Sequence, residues 1–215
     1  MGNKVTIYFI RHGETYLNKY KKMQGWSDAP LTQKGEEDAI ATGKRLENEK
    51  FDVIYTSDLG RTIRTANLIL AENTYRDETK IIPTYEFRET FYGSLDGSFC
   101  DYVYGKVAKN KNIEVRDIFT TLSLDEIALA IKDVDQANEA ETQKEVESRL
   151  NKGLEMILNK HQDDSKLMVV THGNVIRTIV HMVDETIPVK QELKNSGVTT
   201  ITYENGVGKV VAFNE

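Results

Sequence analysis

Two short apolar runs, each ending in a histidine, constrain this chain more than any other feature. Val5-Thr6-Ile7-Tyr8-Phe9-Ile10 runs into Arg11-His12-Gly13-Glu14, and Leu167-Met168-Val169-Val170 runs into Thr171-His172-Gly173. Each run reads as a buried parallel strand, with its histidine at the strand's carboxyl end. Ligands bind at that end of open α/β sheets. Two histidines and an arginine gathered at one sheet edge suit phosphate chemistry. Arginine grips phosphate with a planar fork of donors, and neutral imidazole, abundant near its pKa of about 6.5, is a competent nucleophile.

The rest of the chain alternates strands and helices. Thr32 reads as the N-cap of a helix with Ala39, Ile40, Gly43 and Leu46 on its apolar face. Asp52–Thr56 is a second strand, followed by a helix with Ile63, Ala66, Asn67 and Leu70 on one side. Lys80–Tyr85 is a third strand. This alternation predicts an α/β fold with a mainly parallel central sheet flanked by helices on both faces. From about Asp96 to Ala140 the pattern is helical but less apolar, with a capping box at Ser123 and Glu126. That segment is expected to be an inserted helical cap over the sheet edge, not an independent domain. Its acidic end, Asp133 to Glu147, reads as a solvated face leading into a long helix that buries Val146, Leu150, Leu154, Ile157 and Leu158. A further helix presents Val175, Ile176, Ile179, Val180 and Val183. Asn205-Gly206 between two β-rich runs predicts a closing hairpin.

Composition narrows the function classes. A chain of 215 residues supports one domain with a real core. Its net charge of −6 argues against general nucleic-acid or acidic-membrane binding, although an acidic chain can still concentrate basic residues in one pocket for an anionic substrate. The single cysteine, Cys100, excludes an intrachain disulfide and fits a reducing, cytoplasmic compartment. It reads as an ordinary packed thiol without a helix-start context. No signal peptide or membrane span is expected. The loose myristoylation pattern at Met1–Thr6 is discounted because the first core strand begins almost at once. The sequence does not indicate an oligomeric state.

Transfer of a phosphoryl group needs an in-line nucleophile, cations around the phosphoryl oxygens and an acid for the leaving group. Arg11 adjoins His12, and Arg61 follows the second strand. Gly13 and Gly173 let the backbone approach an oxyanion, and His172 opens a helix whose N-terminal amides attract anions. At this point the chain resembles a family. The blocks are Arg11-His12-Gly13-Glu14-Thr15 with Asn18, Gln24-Gly25-Trp26-Ser27-Asp28, Leu31-Thr32 with Gly35, Thr56-Ser57-Asp58-Leu59 with Arg61, Arg88-Glu89 with Tyr92-Gly93, and His172-Gly173-Asn174. Arg-His-Gly alone is a weak string. Six ordered blocks resemble the histidine phosphatase superfamily, in the branch that holds cofactor-dependent phosphoglycerate mutase. The likeness runs almost end to end, implying one such domain over residues 1–215 with the cap inserted at about 96–140.

The resemblance implies roles for particular residues. His12 would form a phosphohistidine, with Arg11, Arg61 and His172 around the transferred group. Glu89 would protonate the leaving oxygen and later activate water. Asn18, Gln24, Gly25, Gly173 and Asn174 match positions that line the phosphate and substrate pocket. No metal or other cofactor is implied, and the chain shows no zinc-ligand spacing. Lys19, Lys21 and Lys22 read as a solvated helix face, with attraction of anions near the entrance as the alternative. Tyr102, Tyr104 and Phe119 read as core packing, with an apolar rim of the pocket as the alternative, and His161 and His181 as structural or surface.

The sequence departs from the mutases at several cationic positions. Those mutases follow the glutamate with a basic and a histidine side chain, where this chain has Thr90 and Phe91. Their next lysine aligns with Cys100, and their paired arginines have no counterpart because Arg116 stands alone. Tyr92 and Asn174 are retained. The expectation is therefore a metal-independent phosphomonoesterase acting on a small phosphorylated metabolite, with mutase-type phosphoryl transfer as the alternative. An inactive binding or regulatory module is the reading from another class, and the presence of His12, Arg61 and His172 speaks against it.

Overall fold

Strand β1 (Lys4–Arg11) lies inside a six-stranded sheet with β2 (Val53–Thr56), β3 (Ile81–Pro83), β4 (Ser165–Thr171), β5 (Val198–Glu204) and β6 (Val207–Ala212). The order is β3-β2-β4-β1-β5-β6, in this computed structural model describing residues 4–161 and 164–215. Gly2 of the myristoylation pattern lies outside the described residues. The strands from β3 to β1 run parallel, and β5 and β6 are antiparallel. The fold is therefore α/β with a mainly parallel sheet, as the alternation predicted.

The period-two geometry of the strands explains the two-sided core. Val5, Ile7, Phe9, Leu167 and Val169 face helices α7 (Gln143–Lys160) and α8 (Gly173–Val183), where Leu150, Ile157, Ile176 and Ile179 are buried. Ile10, Ile54, Met168 and Val170 face α2 (Gln33–Arg45) and α3 (Gly60–Ala71), meeting Ala39, Leu46, Ala66 and Ile69. From β1 the chain crosses to one side of the sheet, and after β4 it crosses to the other. The β1–β4 boundary is thus a switch point of the kind that opens a ligand crevice.

The segment from 96 to 140 carries α4 (Cys100–Lys111), α5 (Ile118–Thr121) and α6 (Leu124–Val134). They pack around Val103, Val107, Ile118, Ile127 and Ile131, together with Met23, Tyr92 and Leu95. The expected capping box at Ser123 and Glu126 is present, and Thr32 caps α2. Asn205 and Gly206 both adopt positive φ, as a tight hairpin turn requires. Among the described residues no helix is long and apolar enough to cross a membrane.

Three local expectations are corrected. Strand β3 spans three residues, not six, and stops at Pro83, which has no N–H for the ladder. The buried face of α3 is Thr62, Thr65, Ala66 and Ile69, not the face through Asn67, which is exposed. The acidic stretch from Asp133 is not simply solvated. Asp135 is 5% exposed and accepts from the amides of Ser94, Ala137, Glu139 and Ala140 and from the Ser94 hydroxyl. Burial pushes its carboxyl up, but those donors win and bring it down to about 2.

Candidate active site

Strand register brings the two histidines together. Arg11 pairs with Thr171, so His12 and His172 are each the next residue on adjacent parallel strands. The His12 amide donates to the Thr171 carbonyl at 2.9 Å, and the two rings meet edge-on with centroids 5.3 Å apart. Both side chains are buried. His12 Nδ1 lies 2.8 Å from the Gly13 carbonyl. A carbonyl only accepts, so Nδ1 carries the proton and the lone pair is on Nε2. Burial, and then the charges of Arg61 and Arg11, hold the His12 imidazole well below its ordinary pKa. Burial and Arg61 do the same for His172.

Arg61 is the second residue of α3, and its side chain is wholly enclosed. It donates to the carbonyls of Ser27 and Gly25, to Asp28 Oδ1 at 3.1 Å and to His172 Nδ1 at 3.0 Å. Because the guanidinium only donates, His172 Nδ1 accepts, and its Nε2–H donates to Ser57 Oγ at 2.8 Å. The helix has no side-chain cap of its own. Asp28 supplies one from across space, accepting from the Gly60 amide at 2.6 Å.

Glu89 is 7% exposed. Its carboxylate accepts from the amides of Thr90 (2.9 Å) and Asn174 (3.2 Å), the latter at the start of α8. Burial raises its pKa, outweighing those amides and Arg61. It pairs with neither neighbouring arginine: Arg88 binds Asp58, and Arg64 binds Glu36.

A cavity of about 220 Å³ opens beside this cluster. Arg11, His12, Asn18, Gln24, Glu89, Gly173 and Asn174 all line it, whereas Gly25, Arg61 and His172 do not. Gly25 instead gives its amide to Asp96 and its carbonyl to Arg61, holding the loop that carries Gln24. A Cβ at Gly25 would lie 2.3 Å from the Thr90 carbonyl, so only glycine permits this approach to the Glu89 segment. Asn18 both caps α1 (Tyr16–Lys19) in a box with Thr15 and reaches the wall. The Thr15 hydroxyl donates to Gln24 Oε1 at 2.6 Å. Among the described residues the buried donors Arg11 Nε, Gln24 Nε2 and Arg61 Nε have no hydrogen-bond acceptor. Unpaired buried donors are costly, and three near a buried histidine are well suited to an oxyanion.

Several participants escaped the sequence reading. Arg177 lines the cavity and gives three N–H groups to Val189, Gln191 and Asn174. Arg149, on α7, donates to the carbonyls of Glu86, Arg88 and Glu89 and pairs with Glu141, which accepts the Phe91 amide. The Arg149–Glu141 pair therefore pins the Glu89 segment from both sides. Lys22 lies beyond the end of α1 and faces the cavity, not a solvated helix face. Tyr104 and Phe119 are also on the wall, not simply core, while Tyr102 is exposed. Cys100 begins α4, contrary to expectation, and also lines the cavity; burial and then Asp101 push its thiol up. Nothing in the residue pattern marks Arg149 or Arg177, since mid-helix arginines ordinarily face water. His161 accepts or donates a bond with the Tyr55 hydroxyl, a structural contact. Among the described residues no group of three His, Cys, Asp or Glu side chains is placed to hold a metal ion.

Known proteins resemble this chain to different extents in sequence and fold. The crystal structure of phosphoglycerate mutase from Bacillus anthracis str. Sterne matches with a TM-score of 0.92 and 30% identity, covering 100% of this chain and 94% of that one. Phosphoglycerate mutase-like protein 4 of Arabidopsis thaliana is 28% identical over 93% of this chain and 80% of its own length. The 2,3-bisphosphoglycerate-dependent phosphoglycerate mutase 1 of Arabidopsis thaliana is 35% identical over 44% of this chain, and the matched stretch spans only 36% of that protein. The model of the histidine phosphatase superfamily (branch 1) matches residues 7–215. The sequence blocks, the sheet and that match agree: the chain belongs to branch 1 of the histidine phosphatase superfamily.

Proposed function

We propose that this protein is a metal-independent phosphomonoesterase that hydrolyses a small phosphorylated metabolite through a phosphohistidine on His12. The observation that carries this reading is the setting of His12. Its Nδ1 proton is spent on Gly13, its Nε2 lone pair is free, and unpaired buried donors of Arg11 and Gln24 share the cavity wall. His12 Nε2 attacks phosphorus while the bond to the ester oxygen breaks. Glu89, whose burial favours the protonated form, gives its proton to that oxygen. The resulting carboxylate then takes a proton from water as that water attacks phosphorus and releases His12. Arg11 and Arg61, each with an unpaired Nε, stabilise the equatorial oxygens and supply charge that a metal supplies elsewhere, while His172, bonded to Arg61 and Ser57, holds Arg61 in place. Asn18, Gln24, Gly25, Gly173 and Asn174 shape the pocket. The single cysteine supports a cytoplasmic setting.

The mutase reading has its own support. The Bacillus anthracis structure bears the name phosphoglycerate mutase, and Asn174 hydrogen-bonds the Tyr92 hydroxyl at the cavity wall. Against it, Thr90 and Cys100 are uncharged where they line the cavity, Phe91 stacks on Trp26, and Arg116 is exposed and absent from the wall. The test is p-nitrophenyl phosphate turnover in excess chelator, with acid-labile phosphate trapped on the protein. Release of inorganic phosphate with labelled His12 is expected. Failure to turn over any monoester would overturn the phosphatase. Interconversion of phosphoglycerates without phosphate release would establish the mutase instead.

A further inference from the structure

We propose that the site takes phosphate monoesters of apolar alcohols, aryl or short alkyl, whose organic part lies against the helical segment 96–140. This rests on the phosphatase reading and adds a substrate class to it. The cavity has two unlike walls. The charged groups, Arg11, Glu89 and Arg177 among them, come from the sheet-edge body. From α4 to α6 the wall receives the Cys100 thiol and Tyr104, Phe119, Leu124, Ile127, Ala128 and Ile131, and no charged side chain. Yet the same segment is rich in charge, with Lys106, Asp125, Glu126, Lys132 and Asp133 within it. Charge has been kept off the one face that meets the cavity.

This face is more than the inner surface of the segment's own core. Phe119 remains 41% exposed, and Tyr104 packs against it edge-on at 5.3 Å. Phe119 therefore keeps apolar surface that its neighbours do not cover, and a ligand that covers it gains about 25 cal/mol per Å². Burial pushes the Tyr104 hydroxyl to about 12, consistent with a dry wall.

A second anionic group on the substrate would need cations on this side; Arg177, Lys190 and Lys22 reach the cavity wall, but each is already engaged by protein groups. Arg177 spends three N–H groups on Val189, Gln191 and Asn174. Lys190 donates to the Leu122 carbonyl at 2.9 Å, and Lys22 sits 4.8 Å over the Phe99 ring. The phosphoryl end is cationic and the far end apolar, which is the polarity of an aryl or alkyl phosphate.

Non-hydrolysable phosphonates test this without relying on turnover. Calorimetric affinities would be compared for methylphosphonate, benzylphosphonate and 3-phosphonopropionate on the full chain. Benzylphosphonate is expected to bind at least about tenfold tighter than methylphosphonate, from burial of its ring. Phe119→Asp and, separately, Leu124→Asp should each shrink that ratio severalfold. A benzyl-to-methyl ratio near one, tightest binding by 3-phosphonopropionate, or a ratio unchanged in both variants would overturn the proposal. If the folded protein bound none of the three, nor inorganic phosphate, the phosphatase reading itself would fail. Phosphate binding without apolar preference would sink only this inference.

Discussion

His12 has no understudy. His172 spends both ring nitrogens on Arg61 and Ser57, so it offers no free lone pair. His12→Ala should therefore lower turnover of p-nitrophenyl phosphate by at least about a thousandfold, with an unchanged circular dichroism spectrum. A variant retaining a tenth of the activity would remove His12 as nucleophile. Glu89 makes a sharper test, because its acid role depends on the leaving group. Phosphorylation requires neutral His12 and protonated Glu89. The acid limb of the burst rate should lie below pH 6.5, since His12 is lowered, and the alkaline limb should follow the raised Glu89. Glu89→Gln should abolish that alkaline limb and slow alkyl phosphates far more than p-nitrophenyl phosphate, whose phenolate leaves without a proton. Equal losses for both leaving groups would make Glu89 a merely structural residue. The histidines and Glu89 were legible in the sequence because each sits in a short block at a strand end or turn. Arg149 and Arg177 were not, because their meaning arises only from carbonyls more than ten residues away, 60 or so in the case of Arg149.

The elements that carry these groups are held by contacts that the residue pattern only partly announces. Gly35, in the first turn of α2, packs directly on the loop after β1. A Cβ there would lie 2.1 Å from the Glu14 carbonyl and 2.7 Å from its amide nitrogen. Gly35→Ala should destabilise the fold by about 1–3 kcal/mol, the usual cost of overpacking, read as a lower urea midpoint. An unchanged midpoint would mean that the loop yields freely. On the opposite side, α7 secures the Glu89 segment through Arg149. Arg149→Met would strand Glu141, whose side chain is 15% exposed, and leave the carbonyls of Glu86 and Arg88 unpaired. The expected cost is about 3 kcal/mol, with turnover falling more than substrate affinity. A stable variant with normal turnover would show that α7 does not position Glu89. Apolar stripes disclosed α7 and α8 well, because those helices bury aliphatic side chains; α2 was disclosed by its Thr32 cap, since its buried face is Gly35, Ala39, Thr42 and Gly43. On α3 the stripe misled. That helix buries Arg61, Thr62 and Thr65 to build the site, so its inward face is polar and its apolar periodicity points one position off.

Sheet order was the least legible property of the molecule, since β4 inserts between β1 and β2 from more than a hundred residues away. Once formed, that pairing buries two imidazoles side by side, and this should be visible in the pH dependence of folding. His12 and His172 both have native pKa values well below 6.5, so between pH 6.5 and those values the unfolded chain binds more protons than the native one. Their contribution is fully favourable above pH 6.5 and is lost as pH falls. Glu89 acts in the opposite sense: its native pKa is raised, so its contribution is full below about 4.5 and is lost as pH rises through the native value. Asp135, lowered to about 2, matters only below about pH 4. In the window from 6.5 to 4.5 the lowered His12, His172 and His161 oppose the raised Glu89 and Asp96, so net stability should fall as pH drops from 7 to 5. Each unopposed proton sets a limiting slope of about 1.4 kcal/mol per pH unit. Urea melts at half-unit steps would measure it, and His12→Gln should flatten the slope by removing one of the two imidazoles. A wild-type stability that is level or rising toward pH 5 would show that the imidazoles are not held neutral in the native state. That would also remove the basis for His12 as a nucleophile ready at neutral pH.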